Sequence, residues 1–380
     1  MKVIILGAGL VGAPIAIDLG TDDKFKVTVA DFSEEALYKV KARCPQLSTI
    51  HIDLSNPDNV MSLVSNYDLV VNAVPGFMGF ETAKAIIKAG KNSTCIAFYE
   101  EDPFELDGLA RQKDVIMIMD CGVYPGMGSA LIMDSCRKLD KVDSVLTYVG
   151  GLPQIRQWPS EYKAVFSPID VIEEYIRPAR YIENGHEVVR PALSDPEFIF
   201  FPKIGTLEAF NTDGLRTLAK TIDAPNMKEK TLRYPGHIEK MAILRELGFF
   251  SKDKSIKING GITSPLEVTA QILFPKWKLK PGEADVTIFQ SIIEGVIDGQ
   301  KKKFIIDMYD TYCPDTDVIS MARTTGYTAT LALRLIAEGL YTYKGISPPE
   351  YMGNYPECID YLQKGLKTRG VNWVVSETDA

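Results

Sequence analysis

Lys2-Val3-Ile4-Ile5-Leu6 runs directly into Gly7-Ala8-Gly9-Leu10-Val11-Gly12, and no other stretch restricts the fold of this chain so tightly. Five apolar-rich residues of this kind make a strand buried on both faces of a parallel sheet. Residues 13–19 then read as helix and 27–30 as a second strand, closed by Asp31. Strand, glycine turn, helix, strand and terminal acid together form the dinucleotide-binding pattern. Gly7 permits the tight turn, Gly9 lets a pyrophosphate approach the backbone, and Gly12 lets the helix pack on the strand. The helix N-terminus offers N–H groups and partial positive charge to the phosphates. Asp31 is placed to accept the adenosine ribose hydroxyls. A carboxylate there repels a 2′-phosphate, and Phe32-Ser33 brings no arginine to hold one, so NAD is expected rather than NADP.

Residues 34–43 and 56–65 read as helices, 48–53 as a third strand and 68–74 as a fourth, ending at Pro75-Gly76. Helix 80–89 and strands 94–99 and 115–119 complete an expected six-stranded doubly wound sheet. Ligands bind beyond the carboxyl ends of such strands, where Asp53, Asn72, Ala73, Pro75, Tyr99 and Asp120 fall. Asn72 and Pro75 either meet a ligand, turn the chain, or do both. Asp120-Cys121-Gly122-Val123-Tyr124-Pro125-Gly126 breaks the rhythm and marks the exit from the nucleotide domain. Strands, turns and aromatic loops follow, as in an α+β substrate domain. Residues 285–297 and 302–312 form an expected hairpin, and 318–338 a long helix. The resulting boundaries are 1–124 plus 315–380 for the nucleotide domain and 125–314 for the substrate domain.

The 380 residues suffice for two cores. A net charge of −8 leaves no basic face for nucleic acid or anionic lipid. The longest apolar runs are strand-sized, so no membrane span is expected. Six cysteines without CxxC pairs and three histidines argue against a metal site and for a reduced, cytoplasmic protein. The chain enters its first strand without a basic leader, so no signal peptide is expected.

In the second domain the dense polar stretches are Glu173-Glu174-Tyr175-Ile176-Arg177-Pro178-Ala179-Arg180, Phe210-Asn211-Thr212-Asp213-Gly214-Leu215 and Thr231-Leu232-Arg233-Tyr234-Pro235-Gly236-His237. Each joins charge to rigid punctuation, the composition of a site held at fixed geometry. The plainer alternative for each arginine is a solvated or ion-paired side chain, and for His237 a helix cap.

The glycine turn, the Gly122-Val123-Tyr124-Pro125-Gly126 elbow and Lys344-Gly345-Ile346-Ser347-Pro348-Pro349-Glu350 resemble the saccharopine dehydrogenase-like superfamily. Within it, Gly150-Gly151-Leu152-Pro153 and the three polar stretches resemble lysine 6-dehydrogenases. The resemblance implies an α/β fold: a Rossmann domain, an inserted sheet-based substrate and dimerisation domain, and a C-terminal helix that returns to the nucleotide domain. The helix from residue 318 suits that return, bringing Thr324-Thr325-Gly326 toward the cofactor. It also implies a homodimer and the NAD-dependent oxidative deamination of the ε-amine of L-lysine, giving the 6-semialdehyde and its cyclic imine.

Such chemistry needs a base for the ammonium proton and for the attacking water. Asp120 and His237, converging from different domains, are the first candidates, with Glu100 and Tyr234 as further ones. Arg177 and Arg233 are the candidates for a carboxylate fork, and Thr231, Asn211 and Tyr234 for orienting amine or water. Alternatives are a saccharopine or carboxylated-polyamine dehydrogenase, or a non-catalytic NAD-binding sensor.

Overall fold

The computed structural model describes residues 1–258, 261–280 and 282–379. The chain divides into two compact units, Met1–Arg137 with Met321–Trp373 and Lys138–Ser320 with Val374–Ala380.

In the first unit, β1 (Lys2–Leu6), α1 (Gly12–Gly20), β2 (Lys26–Asp31), α2 (Glu34–Arg43), β3 (Ser48–His51) and α3 (Pro57–Val64) alternate. Then come β4 (Leu69–Asn72), α4 (Gly76–Lys88), β5 (Asn92–Cys95), α5 (Asp107–Gln112), β6 (Ile116–Ile118) and α6 (Met127–Cys136). Local chemistry sets the helix starts. The Ser33 hydroxyl accepts the Ala36 N–H ahead of α2 and the Asn56 side-chain Oδ1 accepts the Asp58 N–H ahead of α3. Val3, Ile4, Ile5 and Leu6 are fully buried, which fits a central strand.

The second unit opens with β7 (Lys141–Pro153), α7 (Pro168–Ile176), β8 (Ala179–Glu183), β9 (His186–Arg190), β10 (Glu197–Phe201) and β11 (Gly205–Asn211). It continues with α8 (Leu218–Thr221), β12 (Met227–Arg233), α9 (His237–Glu246), β13 (Ile256–Ile258), β14 (Gly261–Thr263) and α10 (Pro265–Trp277). β15 (Asp285–Ile297) and β16 (Gln300–Thr311) form the expected hairpin. Its second strand starts earlier than expected, because Asp298 and Gly299 both take positive φ and turn the chain in two residues. The chain closes with α11 (Ser320–Ala337), β17 (Gly345–Ser347), α12 (Pro356–Thr368) and β18 (Trp373–Asp379).

The first unit's sheet runs β17-β6-β5-β4-β1-β2-β3 and is parallel throughout. It has seven strands rather than six, since the returning segment adds β17 beside β6. The first crossing also lies later than residue 124. α6 is buried along almost its whole length, and a Cβ on Gly353 would lie 2.3 Å from the Ala130 carbonyl. A helix that needs such close cover on all sides belongs to the core that covers it.

The second unit's sheet runs β10-β11-β12-β7-β15-β16-β18, with β8 joined to β12 and β9. β12 and β7 are parallel, whereas β10–β11, β11–β12, β7–β15 and β15–β16 are antiparallel. Alternation on β12 separates two faces. Leu232 joins the apolar cluster of Leu207, Ala209 and Ile288. Glu229, Thr231 and Arg233 occupy the other face, toward Tyr162, Tyr175 and Phe210. Among the described residues, no helix is long and apolar enough to cross a membrane.

Candidate functional site

The glycine turn of the first unit is built as its spacing implies. Gly7 takes φ 111°, donates to the Ala30 carbonyl at 2.8 Å, and leaves room for the Ala73 carbonyl, which a Cβ would meet at 2.5 Å. A Cβ on Gly12 would lie 2.2 Å from the Gly7 carbonyl, so only glycine lets α1 start there. A Cβ on Gly9 meets nothing within 4 Å. Gly9 therefore borders open space, and no side chain caps α1 at Val11. Leu10 is half exposed. An unobstructed helix N-terminus over a glycine turn fits a pyrophosphate.

Asp31 ends β2 and latches this turn. Its Oδ2 accepts the Ala8 N–H at 2.7 Å and its Oδ1 accepts the Ser33 N–H at 2.8 Å. Each carboxylate oxygen has a second lone pair for a ribose hydroxyl. Phe32 beside it is 74% exposed. Asp53 is exposed; hydrogen bonding from the Ser55 side chain, and then from the Ser55 N–H, holds its carboxyl below the usual range. Pro75 caps α4. Asn72 is buried, donating to the Gly79 carbonyl at 3.2 Å and to Cys95 Sγ at 3.3 Å, while its Oδ1 has no partner among the described residues. Tyr99 is corrected: β5 ends at Cys95, and the ring is 1% exposed, packed edge-on against Phe80 in the core rather than offered to a nucleotide. Glu100 next to it is exposed.

Asp120 is buried and takes φ 47°, a strained conformation for a residue with a side chain and one found at functional sites. It leads into the elbow, where a Cβ on Gly126 would lie 1.8 Å from the Gly122 carbonyl. α11 does return as expected. Gly326 lies against Ile15 of α1 and Val11 just before it, and Thr325 reaches Gly122 of the elbow.

In the second unit the three polar stretches, far apart in sequence, are joined pairwise, through a Glu174–Arg233 cluster, a Thr212–Glu229–Thr231 cluster and an Arg180–Asp213 pair. The Arg233 guanidinium is 1% exposed. It donates to Glu174 Oε2, to the Leu232 carbonyl at 2.9 Å and to the Tyr175 hydroxyl at 3.4 Å, and stands 4.6 Å over the Tyr162 ring. The neighbouring Glu174 carboxylate keeps it protonated against the cost of burial. Burial in turn raises the Glu174 carboxyl, opposed by Arg233. Arg180 forms a two-pronged pair with Asp213 at 2.8 and 2.6 Å, tying β8 to the 211–215 loop.

His237 starts α9, as expected, but the structure gives it a different role from proton transfer. Nδ1 donates to the Ser160 carbonyl at 2.6 Å and Nε2 accepts the Tyr175 hydroxyl at 2.8 Å. Burial, and then the Arg233 charge, lower its pKa to about 3. Both nitrogens are engaged and the ring is neutral, so His237 positions Tyr175. Arg233 is likewise corrected as a free carboxylate fork, because Glu174, Leu232 and Tyr175 engage its three nitrogens. Tyr234 donates to the Pro153 carbonyl at 2.9 Å, and burial pushes its hydroxyl up to about 12, which removes it as a base near neutrality. Thr231 Oγ1 bonds Thr212 Oγ1 at 2.8 Å, and Asn211 donates to Ser194 and Asp195. Arg177 forms the C-cap of α7 and is half-buried.

Glu229 was missed in the sequence reading. It is 2% exposed and accepts from Thr212 Oγ1 at 2.6 Å, the Gly214 N–H at 3.0 Å and Thr231 Oγ1 at 3.3 Å. Burial pushes its carboxyl up to about 7. A Cβ on Gly214 would lie 2.5 Å from the Glu229 carboxyl, so the Asn211-Thr212-Asp213-Gly214 loop is shaped around that group. The available signal was its period-two spacing from Thr231 and Arg233, which puts all three on one strand face.

A parallel doubly wound sheet with this glycine turn and terminal acid, interrupted by an α+β unit, defines a nucleotide-binding dehydrogenase-type fold. Residues 3–118 match the saccharopine dehydrogenase NADP binding domain and residues 122–371 the saccharopine dehydrogenase C-terminal domain. The chain belongs to the saccharopine dehydrogenase family. It is 26% identical over 269 residues to the mitochondrial alpha-aminoadipic semialdehyde synthase of Bos taurus, covering 66% of this chain and 29% of that protein. It is also 26% identical over 266 residues to saccharopine dehydrogenase (NADP(+), L-glutamate-forming) of Pyricularia oryzae, covering 67% and 59%. The match thus spans less than two thirds of either relative's length. Carboxynorspermidine synthase of Vibrio alginolyticus is 20% identical over 414 residues, covering 100% of this chain and 98% of that protein. Apo saccharopine dehydrogenase (L-Glu forming) from Saccharomyces cerevisiae shares the fold, with a TM-score of 0.80 at 19% identity over 99% of each chain.

Proposed function

We propose that this chain is an NAD-dependent dehydrogenase that oxidatively deaminates an amino acid, with the ε-amine of L-lysine as its substrate and the 6-semialdehyde as its product. The observation that carries this reading is the pairwise joining of the three lysine 6-dehydrogenase-like stretches, 174 to 233, 180 to 213 and 212 to 231. The residues of the first unit fit the dinucleotide. Gly7, Gly9, Leu10, Val11, Gly12 and Ala73 would hold its pyrophosphate, and Asp31 its ribose, with Phe32, Asp53, Asn72 and Pro75 flanking. When bound, the nicotinamide supplies the hydride acceptor. Asp120 is the leading group for taking the amine proton and Glu100 the reserve. Arg177 is proposed for the substrate carboxylate, and Thr231 and Asn211 act through the network as positioning residues. The protein acts as a homodimer in the cytoplasm.

The test is NADH formation by the purified protein at alkaline pH with L-lysine, saccharopine, other amino acids and polyamines. L-lysine should be fastest. A preference for saccharopine or a carboxylated polyamine would select a secondary-amine reading, which the full-length similarity to carboxynorspermidine synthase favours. NAD binding without reduction by any amine would mark a sensor and overturn both.

Cofactor choice is tested separately. NAD should bind at least ~10-fold more tightly than NADP, a difference of about 1.4 kcal/mol, and Asp31→Ala should narrow that ratio by removing repulsion from the 2′-phosphate. Tighter NADP binding by the wild type in a fluorescence titration would overturn the assignment.

A further inference from the structure

The Glu174–Arg233 pair is asymmetric. The Arg233 side chain is sealed at 1% exposure, whereas the Glu174 side chain keeps 20%. All three kinds of guanidinium nitrogen are engaged, by Glu174, Leu232 and Tyr175. Among the described residues, Glu174 engages only its Oε2 in a hydrogen bond. A carboxylate accepts several donors, so Oε1 is equipped for another N–H. The charged groups acting on it include Arg233, then Asp170 and Arg177 from its own helix and its cap, and it repels the Glu229 carboxyl on β12. The rest of the network holds that carboxylate still: Tyr175 is fixed by His237, and His237 by Ser160. A buried ion pair is weak evidence for stability, since apolar groups of similar volume often serve as well. One carboxylate oxygen left over on a partly exposed side chain, paired to a sealed cation, is instead the form of a recognition group.

We infer that Glu174 is the group with which the second unit holds a cationic nitrogen of the substrate, the α-ammonium of an amino acid. This rests on the amino-acid dehydrogenase reading above and adds a specificity-determining contact to it. Arg233, Tyr175 and His237 are then positioning residues that act through Glu174.

The experiment compares L-lysine with 6-aminohexanoate, which keeps the terminal amine and the carboxylate but has no α-ammonium. Binding of each to the NAD-loaded protein is measured by calorimetry, and turnover by NADH formation. The wild type should prefer L-lysine on the order of 100-fold in kcat/KM, since a site built for a polar group rejects the analogue that lacks it. Glu174→Gln should shrink the preference below ~10-fold, chiefly through a higher KM for L-lysine, with NAD affinity unchanged. Glu174→Asp keeps the charge but withdraws it by one methylene, and should lower the preference likewise; it serves if the glutamine variant does not fold. An undiminished preference in the folded variants, or equal losses for both compounds, would overturn the contact and leave the dehydrogenase reading standing. A wild type that binds and oxidises neither compound would overturn both.

Discussion

Replacing Arg233 with methionine should cost about 3–5 kcal/mol of stability, the usual penalty for breaking a buried ion pair from one side. Methionine roughly fills the volume and supplies no charge. Glu174 then faces burial without the guanidinium, the Tyr175 hydroxyl loses a donor, and the Tyr162 ring loses its cation. Adding Glu174→Gln in the same chain should restore most of the loss, because the uncompensated charge disappears with it. Urea unfolding of both variants, followed by tyrosine and tryptophan fluorescence, reads this directly. An Arg233→Met protein within about 1 kcal/mol of wild type would show that the pair is not electrostatically confined as described.

The second large effect is a pH dependence at Glu229. Burial, helped by the Glu174 charge, outweighs the hydrogen bonds from Thr212, Gly214 and Thr231 and pushes its carboxyl from an ordinary 4.5 up to about 7 in the folded chain. The folded state therefore holds a proton that the unfolded state has lost. Its contribution to stability is complete below pH 4.5, falls as pH rises toward 7, and is gone above it. A shift of that size corresponds to about 3 kcal/mol. Glu229→Gln abolishes the titration. Between pH 5 and pH 8 the variant should thus lose about 2.5 kcal/mol less than the wild type, whatever its absolute stability. Parallel losses in the two proteins would place the Glu229 titration outside that window. The comparison within each protein cancels any change in the Thr212 and Gly214 contacts.

Local patterns were sufficient for the first unit. A fully buried apolar strand, a glycine turn whose first and third glycines leave no room for a Cβ, and an acid at the end of β2 are short-range requirements. They can be read from one stretch of chain, whereas the two-residue turn at Asp298-Gly299 was not, and the second strand of the hairpin starts at Gln300 rather than 302. The sheet's seventh strand was not legible by length alone, since three residues of Gly345–Ser347 become a strand only beside β6.

The candidate site of the second unit divides differently. Its residue types were visible as three polar stretches, and residues 173–180, 210–215 and 231–237 did contain most of the network. Their partners were not visible, because an ion pair between positions 174 and 233 depends on α7 crossing the face of β12, which no local spacing records. The same cause explains the corrections. Arg233 looked like a fork for substrate until Glu174 was found in it. His237 looked like an acid–base group until both of its nitrogens were found engaged. Tyr99 read as a strand-end residue, but the chain left β5 at Cys95 and turned its ring into the core. Glu229 went unnoticed because a charged residue in a polar-looking strand carries no sign of burial. By itself, then, the sequence determined the nucleotide cradle, whose geometry is backbone sterics over a few residues. Only the tertiary structure decided which polar side chains are committed to one another, because burial and pairing are properties of contacts between distant segments.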